Sequence, residues 1–344
     1  MVSRIEAVRE DLTAFLKPIL ADKNARIILT GAGTSAFAGQ MLAPYLTIHL
    51  DRRVEAIATT DIVSNPEEAL SPNVPTLIVS FARSGNSPES VEATVLADQL
   101  VADCHHLIVT CAEDGALAKD HSRRRRSFVL LTPPETNDRG FAMTSSFTTM
   151  CLATMMAFNE SVPAEAMVEA AKKLLQKKVD IEALANKRFS RIIYLGSGAL
   201  TGTARESALK TLELTTGKIG AYYDSPLGFR HGPKSLVNDA SLVVVYLSQN
   251  AHTRAYDSDL IAELRGDGAN IAVVSLDEVD GVTDPMWTID APTMKDAEAG
   301  LIYVLFAQLM AYYSSVALGL TVDNPFPGGR VNRVVKGVTI HPLG

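Results

Sequence analysis

The chain has 344 residues, with 32 Lys plus Arg against 39 Asp plus Glu and a formal net charge of −7. At roughly 150 residues per domain the length predicts about two domains, and 47% apolar with 21% charged residues excludes wholesale disorder. The acidic balance excludes a general nucleic-acid binder, which needs surplus Lys and Arg to displace counterions, and the one basic run, Arg123–Arg126, reads as a solvated segment.

Residues 1–21 carry charges throughout and have no unbroken apolar core, so they read as an N-terminal helix and not as a signal peptide. A first strand, Arg26–Gly33 (RIILTGAG), runs into Gly-x-Gly; Gln40–His49 is helical, Thr76–Phe81 is a second strand and Pro88–Ala102 a second helix. Leu107–Thr110 and Phe128–Thr132 are further strands, followed by an uncharged helix over Phe141–Phe158 and a polar connecting segment, Lys172–Arg188. The pattern then recurs. Arg191–Gly198 (RIIYLGSG) repeats Arg26–Gly33 at an offset of 165 residues, and the same offset carries Thr76–Phe81 onto Ser241–Tyr246 and Leu107–Thr110 onto Ala272–Ser275. Helices Ala204–Leu214 and Tyr256–Arg265 fall between these strands, and Trp287–Ile289 stands where the fourth strand is due. Strands apolar on both faces and separated by helices predict two parallel, doubly wound sheets, each in an α/β/α sandwich. Leu301–Leu320 lacks charge and is long enough to span a bilayer, but Gln308, Tyr312, Tyr313, Ser314, Ser315 and Gly319 within it favour a buried core helix. With its counterpart Phe141–Phe158 it suggests packing between the halves or across a subunit interface. Cys104, Cys111 and Cys151 show no C-x-x-C spacing, which predicts neither disulfides nor zinc and fits a cytoplasmic protein.

Ligands of doubly wound sheets collect at the carboxyl ends of the strands. In the first half these ends carry Gly31-Ala-Gly-Thr34-Ser35 and a loop with Ser84, Gly85, Ser87 and Ser90, opening a helix at Ser87-Pro88-Glu89. Hydroxyls and backbone N–H groups at helix starts make an anion site without a lysine, although Ser87 also fits a plain N-cap. Gly31-x-Gly33 lacks the third glycine of a dinucleotide fingerprint, and Gly196-x-Gly198 with Gly202 lacks its acidic ribose partner, so a nicotinamide cofactor is disfavoured. The second half has Leu247–His252 in place of the Ser-rich loop, but offers Glu206 and Glu213 on a helix and His231 in a Gly/Pro-rich loop. A carboxylate and an imidazole suit acid–base chemistry, though such residues are also ordinary surface groups.

Over nearly its full length the chain resembles tandem sugar isomerase (SIS) domain proteins, as in the isomerase half of glucosamine-6-phosphate synthase. More closely it is similar to the galactosamine-6-phosphate deaminase/isomerase (AgaS) family, also called tagatose-6-phosphate ketose/aldose isomerases. The segments that carry this are Thr30–Ala38 (TGAGTSAFA), Ser80–Ser90 (SFARSGNSPES), Asn137–Ser146 (NDRGFAMTSS), Ala204–Thr215 (ARESALKTLELT), Tyr223–Val237 (YDSPLGFRHGPKSLV) and Val331–Pro342 (VNRVVKGVTIHP). The resemblance implies an N-terminal helix over 1–21, a first SIS domain over 22–165 holding phosphate, a linker over 166–187, a second, catalytic SIS domain over 188–328 and a tail over 329–344. Each domain would be a three-layer unit with a mainly parallel, flavodoxin-like sheet. It implies phosphate and sugar contacts from Thr34, Ser35, Arg83, Ser84, Gly85, Ser87, Thr144 and Ser145. Glu213 matches the carboxylate that moves a proton between C1 and C2, His231 the ring-opening histidine supplied by a neighbouring subunit, and Lys336 a lysine able to form an imine with a ketose. The synthase has a serine at Ala82 and a lysine at Ser145, so those two loops depart from its pattern.

Ring opening needs a proton moved from O1 to O5, a task for an imidazole, which exchanges protons near neutral pH. One carboxylate then carries the proton between adjacent carbons, and a 2-amino sugar is left as an iminium that water hydrolyses to ketose and ammonia. No metal or organic cofactor is required. With no glutaminase segment ahead of the first repeat, the expected direction is ammonia release, galactosamine 6-phosphate giving tagatose 6-phosphate, with plain isomerisation of a hexose 6-phosphate as the alternative. A phosphosugar-sensing regulator is the alternative of another class; it would not need Glu213, His231 and Lys336. The expected partners are a hexosamine or hexose phosphate and further copies of the chain, in a homodimer or larger homo-oligomer with active sites at the subunit interface; neither nucleic acid nor membrane is expected.

Overall fold

The computed structural model of the protein describes residues 1–278, 286–335 and 337–343. It divides into two compact units, one of Met1–Arg139, Met143–Val162 and Gly328–Gly344, the other of Gly140–Ala142 and Pro163–Pro327. The first contains α1 (Val2–Ala21), β1 (Arg26–Thr30), α2 (Thr34–Leu50), β2 (Val54–Ala56), α3 (Thr59–Ser64), α4 (Pro66–Ala69), β3 (Thr76–Ala82), α5 (Pro88–Leu100), β4 (Cys104–Thr110), α6 (Ala116–His121), β5 (Ser127–Leu131) and α7 (Ser145–Phe158). The second contains α8 (Ala164–Gln176), α9 (Lys178–Ala185), β6 (Arg191–Gly196), α10 (Ala199–Leu214), β7 (Gly220–Asp224), α11 (Pro226–Phe229), β8 (Ser241–Tyr246), α12 (Ala251–Gly266), β9 (Asn270–Ser275), β10 (Met286–Thr288) and α13 (Asp296–Ala317).

The repeat seen in the sequence is a repeat of topology. The sheets run β2-β1-β3-β4-β5 and β7-β6-β8-β9-β10, every pairing parallel, which is the flavodoxin-like order with its switch point between the first and third strands. Registers match too: Arg26 pairs with Thr76 as Arg191 pairs with Ser241. The central strands β3 and β8 are buried along their whole length, as two covered faces require. Both Gly-x-Gly turns have the same physical cause. A Cβ on Gly31 would lie 2.5 Å from Ser35 Cβ and one on Gly196 2.5 Å from the Leu200 carbonyl oxygen, while Gly33 and Gly198 both sit at φ +56°.

The two helices that hold the charge-free stretches are cores of their own units. In the first unit α7 packs against α2 and α1; in the second α13 packs against α10, α9 and α8. The stretch read as a connecting segment is thus two helices, α8 and α9, that complete the cover of α13. Among the described residues α13 is the one helix long and apolar enough to cross a membrane, and 67% of its most apolar window is buried in the protein.

Candidate active site

At the carboxyl end of the first sheet, β1 leads through Gly33 into α2, with Thr34 and Ser35 buried in its first turn. β3 leads through Arg83, Ser84, Gly85 and Asn86 to Ser87, the N-cap of α5. Gly85 takes φ +66°, its carbonyl accepts from Leu117 N at 3.1 Å, and Asn86 Oδ1 accepts from Ala116 N at 2.9 Å, so the loop is tied to the start of α6. Ser84 Oγ accepts from Asn86 N at 3.3 Å. Ser87 sits at the N-cap with Pro88 behind it, yet its hydroxyl makes no capping bond; the N-cap role alone does not use that hydroxyl. Arg83 is buried and donates to the carbonyl of Arg333 at 2.8 Å, which ties the C-terminal tail to this loop. Arg333 in turn donates to the Asp138 carbonyl.

Thr144 and Ser145 open α7, where Asp138 acts as an internal anion. Its carboxylate accepts from the backbone N–H groups of Thr144 (2.9 Å), Ser145 (2.9 Å) and Ser146 (3.0 Å) and from the hydroxyls of Thr144 (2.7 Å) and Ser146 (2.5 Å). Burial works to raise the Asp138 pKa, but the bonds from Ser146 and Thr144 outweigh it and hold the group below the usual carboxylate range. The N–H groups of this helix start are therefore already engaged, unlike the Ser87 hydroxyl.

The matching end of the second sheet is closed by its own acids. Asp257 accepts from Ser197 Oγ (2.7 Å) and Ser248 N (3.1 Å), and Asp296 from Ser248 Oγ (2.6 Å) and Gln249 N (2.6 Å). Burial raises the pKa of Asp257. At the 165-residue offset Thr34, Ser35, Ser84 and Ser87 become Ala199, Leu200, Gln249 and His252, so the second unit lacks those hydroxyls, and the Gln249 N–H is taken by Asp296.

What the second unit offers is charge on α10. Glu206, Lys210 and Glu213 share one face at spacings of four and three residues. Lys210 is fully buried, its Nζ 2.5 Å from Glu213 Oε2 and 3.4 Å from Glu206 Oε1. Burial alone would lower the Lys210 pKa, but the carboxylates of Glu206 and Glu213 overcome it and hold the ammonium above its ordinary value. Glu206 is fully buried, whereas the Glu213 side chain keeps 21% of its surface exposed and can meet a ligand. Sequence reasoning missed Lys210: Glu-x-x-x-Lys-x-x-Glu is also the pattern of a solvated helix face, and only the fold shows that this face is interior.

His231 is exposed and follows α11, whose N-cap Ser225 accepts from Gly228 N at 3.1 Å. Arg230 and Lys234 on either side pair with Glu263 of α12, so the histidine loop is pinned to that helix. Of the expected site residues, Thr34, Ser35, Arg83, Ser84, Gly85, Ser87, Thr144 and Ser145 belong to the first unit, Glu213 and His231 to the second, and Lys336 lies outside the described residues. None of the loops above forms a group with metal-ligand geometry among the described residues.

Two doubly wound units, one with an uncapped Ser87 hydroxyl at a helix start and one with a charged helix face, make a tandem α/β protein. The chain matches the SIS domain over residues 19–160 and 183–318 and belongs to the SIS-domain family. It is 47% identical over 351 residues to D-galactosamine-6-phosphate deaminase AgaS of Escherichia coli, covering 99% of this chain and 91% of that one. It is 44% identical to the protein of the same name from Shewanella sp. ANA-3, covering 99% and 88%. Within the SIS family it therefore belongs with the AgaS proteins. The crystal structure of tagatose-6-phosphate ketose/aldose isomerase from Escherichia coli superposes with a TM-score of 0.92 at 44% identity, over 99% of this chain and 92% of that one. The C-terminal domain of glucosamine-fructose-6-phosphate aminotransferase from Francisella tularensis shares the fold, with a TM-score of 0.74 at 17% identity over 94% and 97%.

Proposed function

We propose that the chain is a sugar-phosphate deaminase/isomerase that converts D-galactosamine 6-phosphate to D-tagatose 6-phosphate and ammonia. The observation that carries this is the 47% identity, over 99% of the chain, to D-galactosamine-6-phosphate deaminase AgaS. The phosphate is held by the hydroxyls and N–H groups of Thr34, Ser35, Ser84, Gly85 and Ser87, with Thr144 and Ser145 contacting the sugar and Arg83 anchoring the tail nearby. The Ser87 hydroxyl, which makes no capping bond, supports this assignment.

The residues then divide the chemistry. His231 moves the anomeric proton from O1 to O5, which opens the ring. Glu213 takes the proton from C2, leaving an enaminol with a C1–C2 double bond, and returns it to C1. The nitrogen at C2 is now an iminium; water adds to C2 and ammonia departs, leaving the C2 carbonyl of the ketose. Lys210 holds Glu213 in place through their ion pair, and Lys336 stabilises the oxyanion or the imine at C2. Glu213 is paired by a buried ammonium and still partly exposed, as a proton carrier must be.

The functional state is a homodimer or larger homo-oligomer in which His231 serves a neighbouring subunit; its exposure on its own chain supports this. Ammonia and ketose are assayed with galactosamine 6-phosphate and glucosamine 6-phosphate in parallel. Faster ammonia release from the galacto epimer is expected; ammonia from neither amine, with turnover of a plain hexose 6-phosphate, would move the chain to simple isomerisation.

A further inference from the structure

At the opposite end of the first sheet from the candidate phosphate loops, three side chains of two elements meet at one point. Asp98 projects from the last turns of α5, and Cys104 and His106 lie two residues apart, hence on one face, at the start of β4. His106 Nε2 lies 2.8 Å from Asp98 Oδ1 and 3.4 Å from Cys104 Sγ, and the three ligand atoms all fall within 4.8 Å of one another. From Cys104 to Thr110, where β4 ends beside the phosphate loops, six residues span about 20 Å. The cluster is a second place, separate from the first.

We infer that Asp98, Cys104 and His106 form a binding site for one soft divalent cation of the zinc type, with a fourth position left for water on the exposed side of Asp98. The donor set is one thiolate, one imidazole nitrogen and one carboxylate oxygen, the mixed N/S/O chemistry that zinc accepts with three protein ligands. One thiolate and one carboxylate offset the charge of a divalent ion among the ligands, and the Arg124 guanidinium beside Asp98 lies at the partly exposed rim. Binding forms three metal–ligand bonds and releases the Cys104 proton to solvent, with no change of oxidation state. The second carboxylate oxygen of Asp98 is held by Arg124 Nη1 at 2.6 Å, which fixes the group and leaves Oδ1 turned to His106.

Two further buried polar atoms lie beside the cluster. His106 Nδ1 and His121 Nε2 are buried without hydrogen-bond partners, on residues 1% and 0% exposed, and the two rings stand 4.7 Å apart between centroids. With Nε2 on a metal, His106 carries its proton on Nδ1, on the ring that faces His121. The site would clip the end of α5 to β4.

The test uses the full-length chain, stripped with a chelator and titrated with zinc by calorimetry, with thermal unfolding followed with and without the ion. One equivalent per chain and a zinc-dependent rise in Tm are expected. Cys104→Ser and His106→Asn each weaken binding at least tenfold and abolish the Tm rise, whereas Cys151→Ala and His231→Asn retain both. Cobalt in place of zinc gives a thiolate-to-metal charge-transfer band that Cys104→Ser lacks. Asp98→Asn, at the exposed rim, serves if the two interior variants fail to fold, and it too weakens binding. Absence of stoichiometric binding to the unaltered chain, or binding that survives these substitutions, overturns the site.

Discussion

At residue scale the decisive arrangement is a lysine without solvent. Lys210 is neutralised inside the second unit by Glu206 and Glu213, and of the three only Glu213 keeps access to the outside. Removing one partner from a buried charge set is costly because the others lose their compensation, typically about 3–5 kcal/mol. Lys210→Met is therefore expected to lose about that much stability in urea unfolding, as well as activity. Glu213→Gln, at the exposed end, should unfold close to the unaltered chain. A Lys210→Met chain as stable as the original would show that the ammonium is not the ion that balances Glu206. The hydroxyl of Ser87 makes the other residue-scale prediction. Hydrogen bonds to a charged group contribute about 1.5–3 kcal/mol, so Ser87→Ala should raise KM for the phosphosugar about tenfold to a hundredfold with kcat little changed. An unchanged KM would return Ser87 to the role of an N-cap.

At the scale of elements, helix starts are put to different uses. The start of α5 keeps a spare hydroxyl, while the start of α7 is saturated by Asp138 with three N–H groups and two hydroxyls. Loss of such a cap costs about 1–2 kcal/mol, and Asp138→Asn is expected to fall in that range at neutral pH. The pH dependence has a definite sign. A carboxyl held below its ordinary value of 3.8 contributes stability above that pH and loses it as pH falls through the folded-state value. The gap between Asp138→Asn and the unaltered chain should thus narrow in acid; a gap constant from neutral pH to pH 3 would contradict the cap. Asp138 also marks the limit of legibility at this scale. The long buried strands and the Gly-x-Gly turns could be read because burial on both faces and a positive φ leave plain marks in residue type. The short edge strands β2 and β7 could not, since an edge such as Ala221-Tyr-Tyr-Asp224 is half exposed and carries no continuous apolar run. Nor could the cap itself, because Asp138 precedes its helix by seven residues and reaches it through a loop.

For the whole molecule, the repeat at 165 residues predicted two like units, and the two sheets share one strand order and one register. What the repeat concealed is the division between the copies. Asp257 and Asp296 take the N–H groups of Ser248 and Gln249 in the second unit, whose α10 carries the buried charges of Glu206 and Lys210. If His231 serves a neighbouring subunit, two separately inactive chains should complement each other. In a dimer formed by mixing Glu213→Gln and His231→Asn in equal parts, half the dimers are hybrid and one site in each is intact. Activity should then recover to about one quarter of the original, whereas no recovery after verified subunit exchange would place both residues in one chain's site. The most direct test of the central claim is ammonia release from D-galactosamine 6-phosphate, measured for the unaltered chain and for Glu213→Gln with tagatose 6-phosphate followed as product. Ammonia and ketose are predicted in equal amounts from the first and a loss of about a hundredfold to ten-thousandfold in rate from the second; no ammonia from the unaltered chain, or an undiminished rate in Glu213→Gln, would contradict it.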